Sequence, residues 1–172
     1  MIADSTEILQ IVTELDNKYN ASPPPNPQWA ILYSKLSIIE FCGWIEQTFD
    51  EILIAYSSNK LTKLNYLQYY KENVINTNYG FQYEKHFRQM LIKTIGINNL
   101  ESLEDCLENH LAYLSILKSI LGTFKTPRDT AAHTYTPQGA TPNYNSPNIV
   151  ISNINRITPI LQKIEQELMT NY

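Results

Sequence analysis

The chain has 172 residues, of which 43% are hydrophobic and 17% are charged, a composition typical of one globular domain and not of a disordered segment. Five glycines are too few for an all-β protein with many tight turns, and a net charge of −4 argues against a general nucleic-acid coat protein. No apolar run is long enough to span a bilayer and no secretory signal is visible, so we expect a cytoplasmic protein with no membrane partner.

Helical periodicity runs through the chain, and we expect a single domain over residues 1–172. Residues 1–20 hold a first amphipathic helix, a proline-rich break covers residues 22–27, and residues 28–170 form the core bundle. The expected core helices cover residues 28–57, 66–75, 81–95, 101–121 and a final stretch after Ser146-Pro147. Since no convincing pair of strands appears, the sequence predicts an all-α helical bundle with an extra N-terminal helix.

The later helices carry recognisable start and stop residues. A leucine repeat marks the helix over residues 101–121, with Asn99 as its expected cap and Gly122 as its stop. Pro159 lies inside the final helix, so we expect a kink or a restart there. The leucines of the repeat are Leu103, Leu107, Leu111, Leu114, Leu117 and Leu121.

A short segment bracketed by prolines, residues 125–137, lies between the last two long helices. Thr126 is suited to cap a helix and Pro127 to occupy its first turn. Asp129 lies three residues after this cap, and Thr136-Pro137 should end the helix. We therefore expect a separate helix of about two turns here.

Arg128 and His133 lie in this segment and are the candidate catalytic residues. A guanidinium in a first turn is suited to phosphate, because the unpaired N–H groups there also attract an anion. The imidazole of His133 can exchange a proton near neutral pH. Residues 109–164 contain five basic side chains against the single acidic Asp129. On an ideal helix the two candidates point about 140° apart, so two copies facing each other across a dimer axis could bring both to one phosphate.

Glu46 lies inside the apolar arc of the long helix, where a carboxylate needs a partner. We expect it to hold Arg128 or His133 in place. The alternative is an ion pair with Lys35, which projects the same way. Trp44 falls on the polar side of this helix, where it covers a dimer contact or lies under the first helix.

The two cysteines and the two remaining histidines give no further site. Cys42 and Cys106 lie in apolar helical patterns and are expected to be reduced thiols, with a disulfide between them as the alternative. Nothing resembles a zinc spacing, so we predict no metal and no cofactor. His86 and His110 have the pattern of ordinary helix residues.

The segment Arg128-Asp129-Thr130-Ala131-Ala132-His133 resembles the signature of HEPN domains, an Arg, a polar residue, a short spacer and a His. The long helix with Glu46-Gln47-Thr48-Phe49 resembles the acidic-aromatic core helix of that family. The Arg–His segment also follows a Leu-rich helix and precedes a final helix, as in HEPN bundles. The resemblance covers residues 28–170 and is specific only in the Arg–His segment. Asp129 stands where asparagine is common in the family.

The resemblance implies a metal-independent endoribonuclease that acts on RNA as a homodimer, as a toxin or a defence enzyme. His133 would deprotonate the ribose 2′-OH or protonate the leaving 5′-oxygen, and Arg128 would stabilise charge on the phosphate. Glu46 and Asp129 would support them. Tyr135 matches an extended form of the motif in some HEPN toxins, in which a partner nucleotidyltransferase adenylylates the tyrosine. The implied partners are therefore RNA, a second copy, and an antitoxin or nucleotidyltransferase.

Two other interpretations stay open at this point. The chain could be a non-catalytic HEPN-like module that dimerises or binds a partner protein or nucleotide, which the acidic overall charge favours. Alternatively, Arg128 and His133 are surface residues of a helical bundle, since an Arg and a His this close together often occur by chance.

Overall fold

A computed structural model of the chain describes residues 2–21, 27–135 and 144–172. Every regular element in these ranges is helical, which confirms the all-α prediction. Most of the proposed proline-rich break, residues 22–26, lies outside the described residues, as does the proposed helix end at Thr136-Pro137. The α-helices are α1 (Thr6–Ala21), α2 (Pro27–Lys60), α3 (Leu64–Tyr70), α4 (Arg88–Ile95), α5 (Ile97–Asn109), α6 (Tyr113–His133) and α7 (Pro147–Asn171).

Helix α2 is the central element, and α1, α6 and α7 all pack against it. Its inner face presents a row of fully buried apolar side chains at helical spacing. These side chains are Ile38, Phe41, Ile45, Phe49 and Ile52. The expected helix over residues 28–57 is therefore present and slightly longer, because its inner face stays buried against neighbours through most of its length.

The segment between α3 and α4 departs from the predicted helices. Two π-helical turns, Lys71–Ile75 and Tyr83–Phe87, flank a non-helical stretch. The second turn is fixed to α2 by the Phe49 and Phe87 rings, which stack with centroids 3.8 Å apart and planes inclined by 5°. The sequence patterns over residues 66–75 and 81–95 thus indicate two helical segments that are present. They do not indicate that the last turn of the first segment and the first turn of the second are π-helical.

The predicted leucine helix over residues 101–121 is two helices, so that prediction is wrong. Leu111 and Ala112 have positive φ values of 56° and 54°, which end α5 and turn the chain into α6. The side chain of Glu108 stabilises the new start, because its carboxylate accepts hydrogen bonds from the N–H and hydroxyl of Ser115 at 3.0 and 2.7 Å. The predicted cap is also misplaced, since α5 starts directly after Gly96, which has a φ of 80°.

Helices α6 and α7 each continue through a residue at which we expected the helix to end, kink or restart. Gly122 does not stop α6, and Pro159 lies inside the continuous α7. Packing outweighs the local preferences, because each helix buries a long apolar row on both sides of these residues. The predicted start of α7 is confirmed, with Ser146 as the cap and Pro147 in the first turn.

The first residues and α1 are joined to the rest of the bundle. Ile8, Val12 and Leu15 are buried between α1 and the core. Trp44 is half-buried, and its Nε1 donates to the carbonyl of Asp4 at 3.2 Å. Of its two expected positions, a dimer contact or a place under the N-terminal segment, the structure shows the second. Among the described helices, none is long and apolar enough to cross a membrane.

Candidate functional site

The predicted catalytic segment forms the C-terminal end of α6 and not a separate helix. Residues from Tyr113 to His133 are one continuous helix with Pro127 in its interior. The prediction that Thr126 caps a new helix is therefore wrong. The burial of Phe124 and Ala131 against the core holds the helix together on both sides of the proline, although its missing N–H costs one helical hydrogen bond.

This position changes what Arg128 can do. In the middle of a helix the backbone N–H groups are used by the helix itself, so the anion site expected from unpaired N–H groups is not present at Arg128. Phosphate binding there would rest on side chains alone. Lys125, which is exposed, lies one turn earlier on the same helix and adds a second positive charge to this region.

Arg128 is half-buried at the side of α2. Its Nη1 lies 3.3 Å from Oδ1 of Asp129, an ion pair between neighbouring residues whose side chains are 38% and 57% exposed. Its positive charge acts on Cys42 of α2, where it opposes the effect of burial on the thiol pKa. The structure therefore pairs Arg128 with Asp129, the residue predicted to support it, and places both near α2.

His133 and Tyr135 face solvent at the end of α6. Both are exposed, and Tyr135 is 82% exposed. The carbonyl of Thr134, between them, accepts a hydrogen bond from Nζ of Lys35 at 2.6 Å, which fixes the end of α6 to α2. Because Arg128 and His133 share one helix, they leave it about 140° apart. One chain therefore does not direct both side chains to one point.

Glu46 has a different partner from those predicted. It is half-buried on α2, and its Oε1 accepts a hydrogen bond from the backbone N–H of Gly80 at 2.7 Å. Within the described residues, no ion pair joins it to Arg128, His133 or Lys35. For Lys35 the reason is geometric, because eleven residues of helix place the two side chains about 16 Å apart along the axis.

Cys42, Glu46 and Asp50 form a row along α2 at four-residue spacing. Burial raises the pKa of the Cys42 thiol to about 12, so the thiol is protonated and unreactive at neutral pH. Cys106, on α5, is also a free thiol, so the disulfide alternative is wrong. Burial also raises the pKa of Asp50 to about 6, and the carboxylates of Glu46 and Glu51 act in the same direction.

Asp50→Asn should therefore stabilise the folded protein at neutral pH. A carboxyl whose pKa rises from about 3.9 in the unfolded chain to about 6 on folding adds stability below about pH 4. That contribution is lost as the pH rises through 6. After allowance for solvent screening, we expect the unfolding free energy at pH 7 to rise by about 1 kcal/mol. Urea unfolding between pH 4 and 7 measures this. Asp105→Asn, at an exposed site, should change little, and equal effects of the two would contradict the explanation.

Gly80 and His86 close the loop that covers Glu46. Gly80 has a φ of 136°, and a Cβ at this position would lie 2.5 Å from Cε1 of the His86 ring. Nδ1 of that ring accepts a hydrogen bond from the N–H of Gln82 at 3.2 Å. His86 is therefore a structural residue of this loop, and its sequence pattern alone gave no sign of the contact.

Gly80→Ala should lower the unfolding free energy by about 2 kcal/mol, from backbone strain and from the clash with the His86 ring. Chemical denaturation measures this loss. The double variant Gly80→Ala/His86→Ala should lose less than the sum of the two single variants, because the clash is already absent. Strict additivity would show that the two residues do not compete for space.

Comparison with protein-family models, with curated proteins and with solved structures found no match. Within residues 2–21, 27–135 and 144–172, no three or more His, Cys, Asp or Glu side chains form a group that could hold a metal ion. What the candidate site can do is therefore argued from its own residues. These are an exposed imidazole and a half-buried guanidinium at the end of α6, with an exposed tyrosine two residues later.

Proposed function

We propose that this chain is a metal-independent endoribonuclease of the HEPN type that acts as a homodimer. The observation that carries the proposal is the arrangement at the end of α6. An accessible histidine, His133, lies five residues after Arg128 on a continuous helix at the protein surface. Lys125 and Lys35 add positive charge to the same region, and Lys35 contacts it directly.

The reaction needs one base, one acid and one cation. A base takes the proton of the ribose 2′-OH, and the 2′-oxygen attacks the adjacent phosphorus. The bond from phosphorus to the 5′-oxygen breaks, and that oxygen receives a proton. The products are a 2′,3′-cyclic phosphate and a 5′-OH end. His133 would carry one of the two proton transfers and a water molecule the other, and Arg128 would stabilise negative charge on the phosphate oxygens.

A second copy completes this mechanism. Because Arg128 and His133 diverge by about 140° on their helix, Arg128 of one chain and His133 of the other would meet the phosphate. The nucleophile belongs to the RNA, so the chemistry does not require a metal-bound water. Asp129 would orient the guanidinium through its ion pair, and Glu46 would act only indirectly, by holding the Gly80 loop.

Incubation of the purified protein with mixed RNA and with tRNA in EDTA tests the proposal. We expect fragments whose 3′ ends are 2′,3′-cyclic phosphates. A phosphatase should remove the terminal phosphate of these fragments only after acid has opened the cyclic phosphate. Activity that EDTA abolishes would contradict the metal-free mechanism. The intact mass of the protein would show whether Tyr135, which is 82% exposed, carries an added nucleotide. Such a modification would inactivate the enzyme, as expected of a toxin with a nucleotidyltransferase partner.

A non-catalytic HEPN-like module that binds a partner protein or a nucleotide is the second candidate. The ion pair between Arg128 and Asp129 favours it, because a guanidinium engaged by a carboxylate is less available to phosphate. A stable protein that cuts no RNA in its unmodified form, and that co-purifies with one defined partner such as an antitoxin, would support this function instead.

A further inference from the structure

Helix α3 exposes most of its aromatic and aliphatic side chains. Leu64, Tyr66 and Tyr69 are 84%, 55% and 65% exposed. Tyr70 is the buried side chain of this helix, and its hydroxyl shares a hydrogen bond of 2.7 Å with Oγ1 of Thr94 on α4. This contact fixes α3 to the bundle, so two tyrosine rings are held in solvent on a firm support.

Positive charge lies beside these two rings. Residues 52–71 contain three lysines and no acidic side chain, although the whole chain has a net charge of −4. Lys60 and Lys63 are exposed. Nζ of Lys63 lies 5.9 Å from the centroid of the Tyr66 ring, so a positive charge and an exposed ring meet at one place. We call Lys60, Lys63, Tyr66 and Tyr69 the α3 platform.

The geometry of α3 places its two exposed rings side by side. Residues three apart on a helix are neighbours, so Tyr66 and Tyr69 share one flank. Leu64 points about 160° away from Tyr66, so the exposed side chains of α3 do not form the one apolar face that insertion into a membrane requires. The first acid after this segment, Glu72, accepts a hydrogen bond from Nε2 of Gln68 at 2.6 Å, and Gln68 also points about 160° away from Tyr66.

We propose that the α3 platform binds single-stranded RNA. Unpaired bases stack on Tyr66 and Tyr69, because an exposed aromatic ring accepts the flat face of any base. Lys60 and Lys63 neutralise the phosphates that join these bases. Paired bases are already covered by their neighbours in the duplex, so a double strand fits this surface less well. The choice of RNA among polyanions rests on the proposed ribonuclease function.

The α3 platform is separate from the candidate catalytic residues. Nζ of Lys35 reaches the carbonyl of Thr134, the residue after His133, and α2 rises by about 38 Å from Lys35 to Lys60. A long RNA can reach both regions of one chain, and a dinucleotide cannot. The platform should therefore add to the binding of long substrates and leave the chemical step unchanged.

Fluorescence anisotropy with a labelled single strand tests the proposal. The probe has about 12 nucleotides, within the usual range of a single-strand site, and methylated 2′-OH groups, so that the proposed cleavage cannot consume it. Tyr69→Leu should raise the Kd about tenfold, whereas Tyr69→Phe, which keeps the ring, should bind as the wild type does. Circular dichroism should show both variants folded. Equal affinities of the leucine and phenylalanine variants would overturn stacking at Tyr69.

Salt and competing ligands test the charges and the kind of partner. For Lys60→Ala/Lys63→Ala, the slope of log affinity against log salt concentration should be shallower by about 1.4, since each phosphate contact of a single strand contributes about 0.7. The same sequence as a perfect duplex should bind less tightly than the single strand. Tighter binding to the duplex, or to vesicles that contain phosphatidylserine, would overturn the proposal.

Cleavage assays separate this inference from the proposed function. On a long RNA, Tyr69→Leu should raise KM and keep kcat, and on a dinucleotide it should change neither. His133→Ala should bind the methylated strand with the Kd of the wild type. A wild type that binds this strand through Tyr69 but cleaves no RNA would contradict the ribonuclease function and leave the α3 platform in place. Cleavage of long RNA that does not depend on Tyr66 or Tyr69 would overturn the platform alone.

Discussion

His133→Ala should lower the rate of RNA cleavage by about 10²–10⁴-fold, the usual contribution of a positioned acid or base. His133 is exposed at the end of α6, so its replacement should remove the proposed proton transfer and leave the core intact. Initial rates on a single labelled RNA, at saturating and subsaturating concentrations, separate this effect from weaker binding. Thermal unfolding should be unchanged.

The controls for this result come from the same chain. His110 is exposed after the end of α5 and contacts the ring of Tyr113, so His110→Ala should keep full activity. Arg128→Ala should also reduce the rate, and Arg128→Lys should recover only part, since an ammonium lacks the paired donors of a guanidinium. Cleavage by His133→Ala at the wild-type rate would show that His133 is not catalytic and would favour the binding function.

Phe49→Ala should lower the unfolding free energy by about 3–5 kcal/mol, the usual cost of deleting a large buried ring. Phe49 and Phe87 are both completely buried, and their stacked rings join α2 to the π-helical turn Tyr83–Phe87. The substitution removes the stacking and leaves a cavity between these two elements. Urea denaturation, monitored by circular dichroism, measures the change.

A substitution at an exposed aromatic residue is the control for the loss of stability expected from Phe49→Ala. Tyr69 is 65% exposed on α3, and Tyr69→Ala should change the unfolding free energy by less than about 0.5 kcal/mol. Phe49→Leu, which fills most of the space, should fall between the two. A loss below about 1 kcal/mol for Phe49→Ala would mean that the turn at Phe87 moves to fill the cavity.

Periodicity predicted the helices well where burial is continuous and failed where the chain turns without a signal. The α2 and α7 patterns correspond to real helices, including the start at Ser146 and Pro147. Leu111 fits the leucine repeat, yet it has a φ of 56° and is 71% exposed. The spacing of a side chain does not show that its backbone has left the helix. The break between α5 and α6 is instead accompanied by a hydrogen bond from the Ser115 hydroxyl to the Glu108 carboxylate, which the leucine spacing does not reveal.

At the candidate site, the local sequence signals did not predict the surroundings of the proposed residues. Arg128 and His133 lie on one helix, as predicted, but that helix is α6, because packing outweighs the local start signals at Thr126 and Pro127. The partner of Glu46 is a backbone N–H 34 residues away, in a loop shaped by Gly80 and His86. Such a contact depends on tertiary structure, and no spacing rule within one helix could reveal it.

Ile2 and Ala3 have partners on α7, 159 to 163 residues later in the sequence. The backbone N–H groups of Ile2 and Ala3 donate to the carboxylate of Glu165 at 2.9 and 3.0 Å, and Nε2 of Gln162 donates to the Ala3 carbonyl at 3.1 Å. During synthesis α1 can pair with α2 early, but these closing contacts must wait until α7 has emerged. Nascent chains halted before α7 should therefore be cleaved by a protease around Ile2 and Ala3, whereas chains that contain α7 should resist cleavage there.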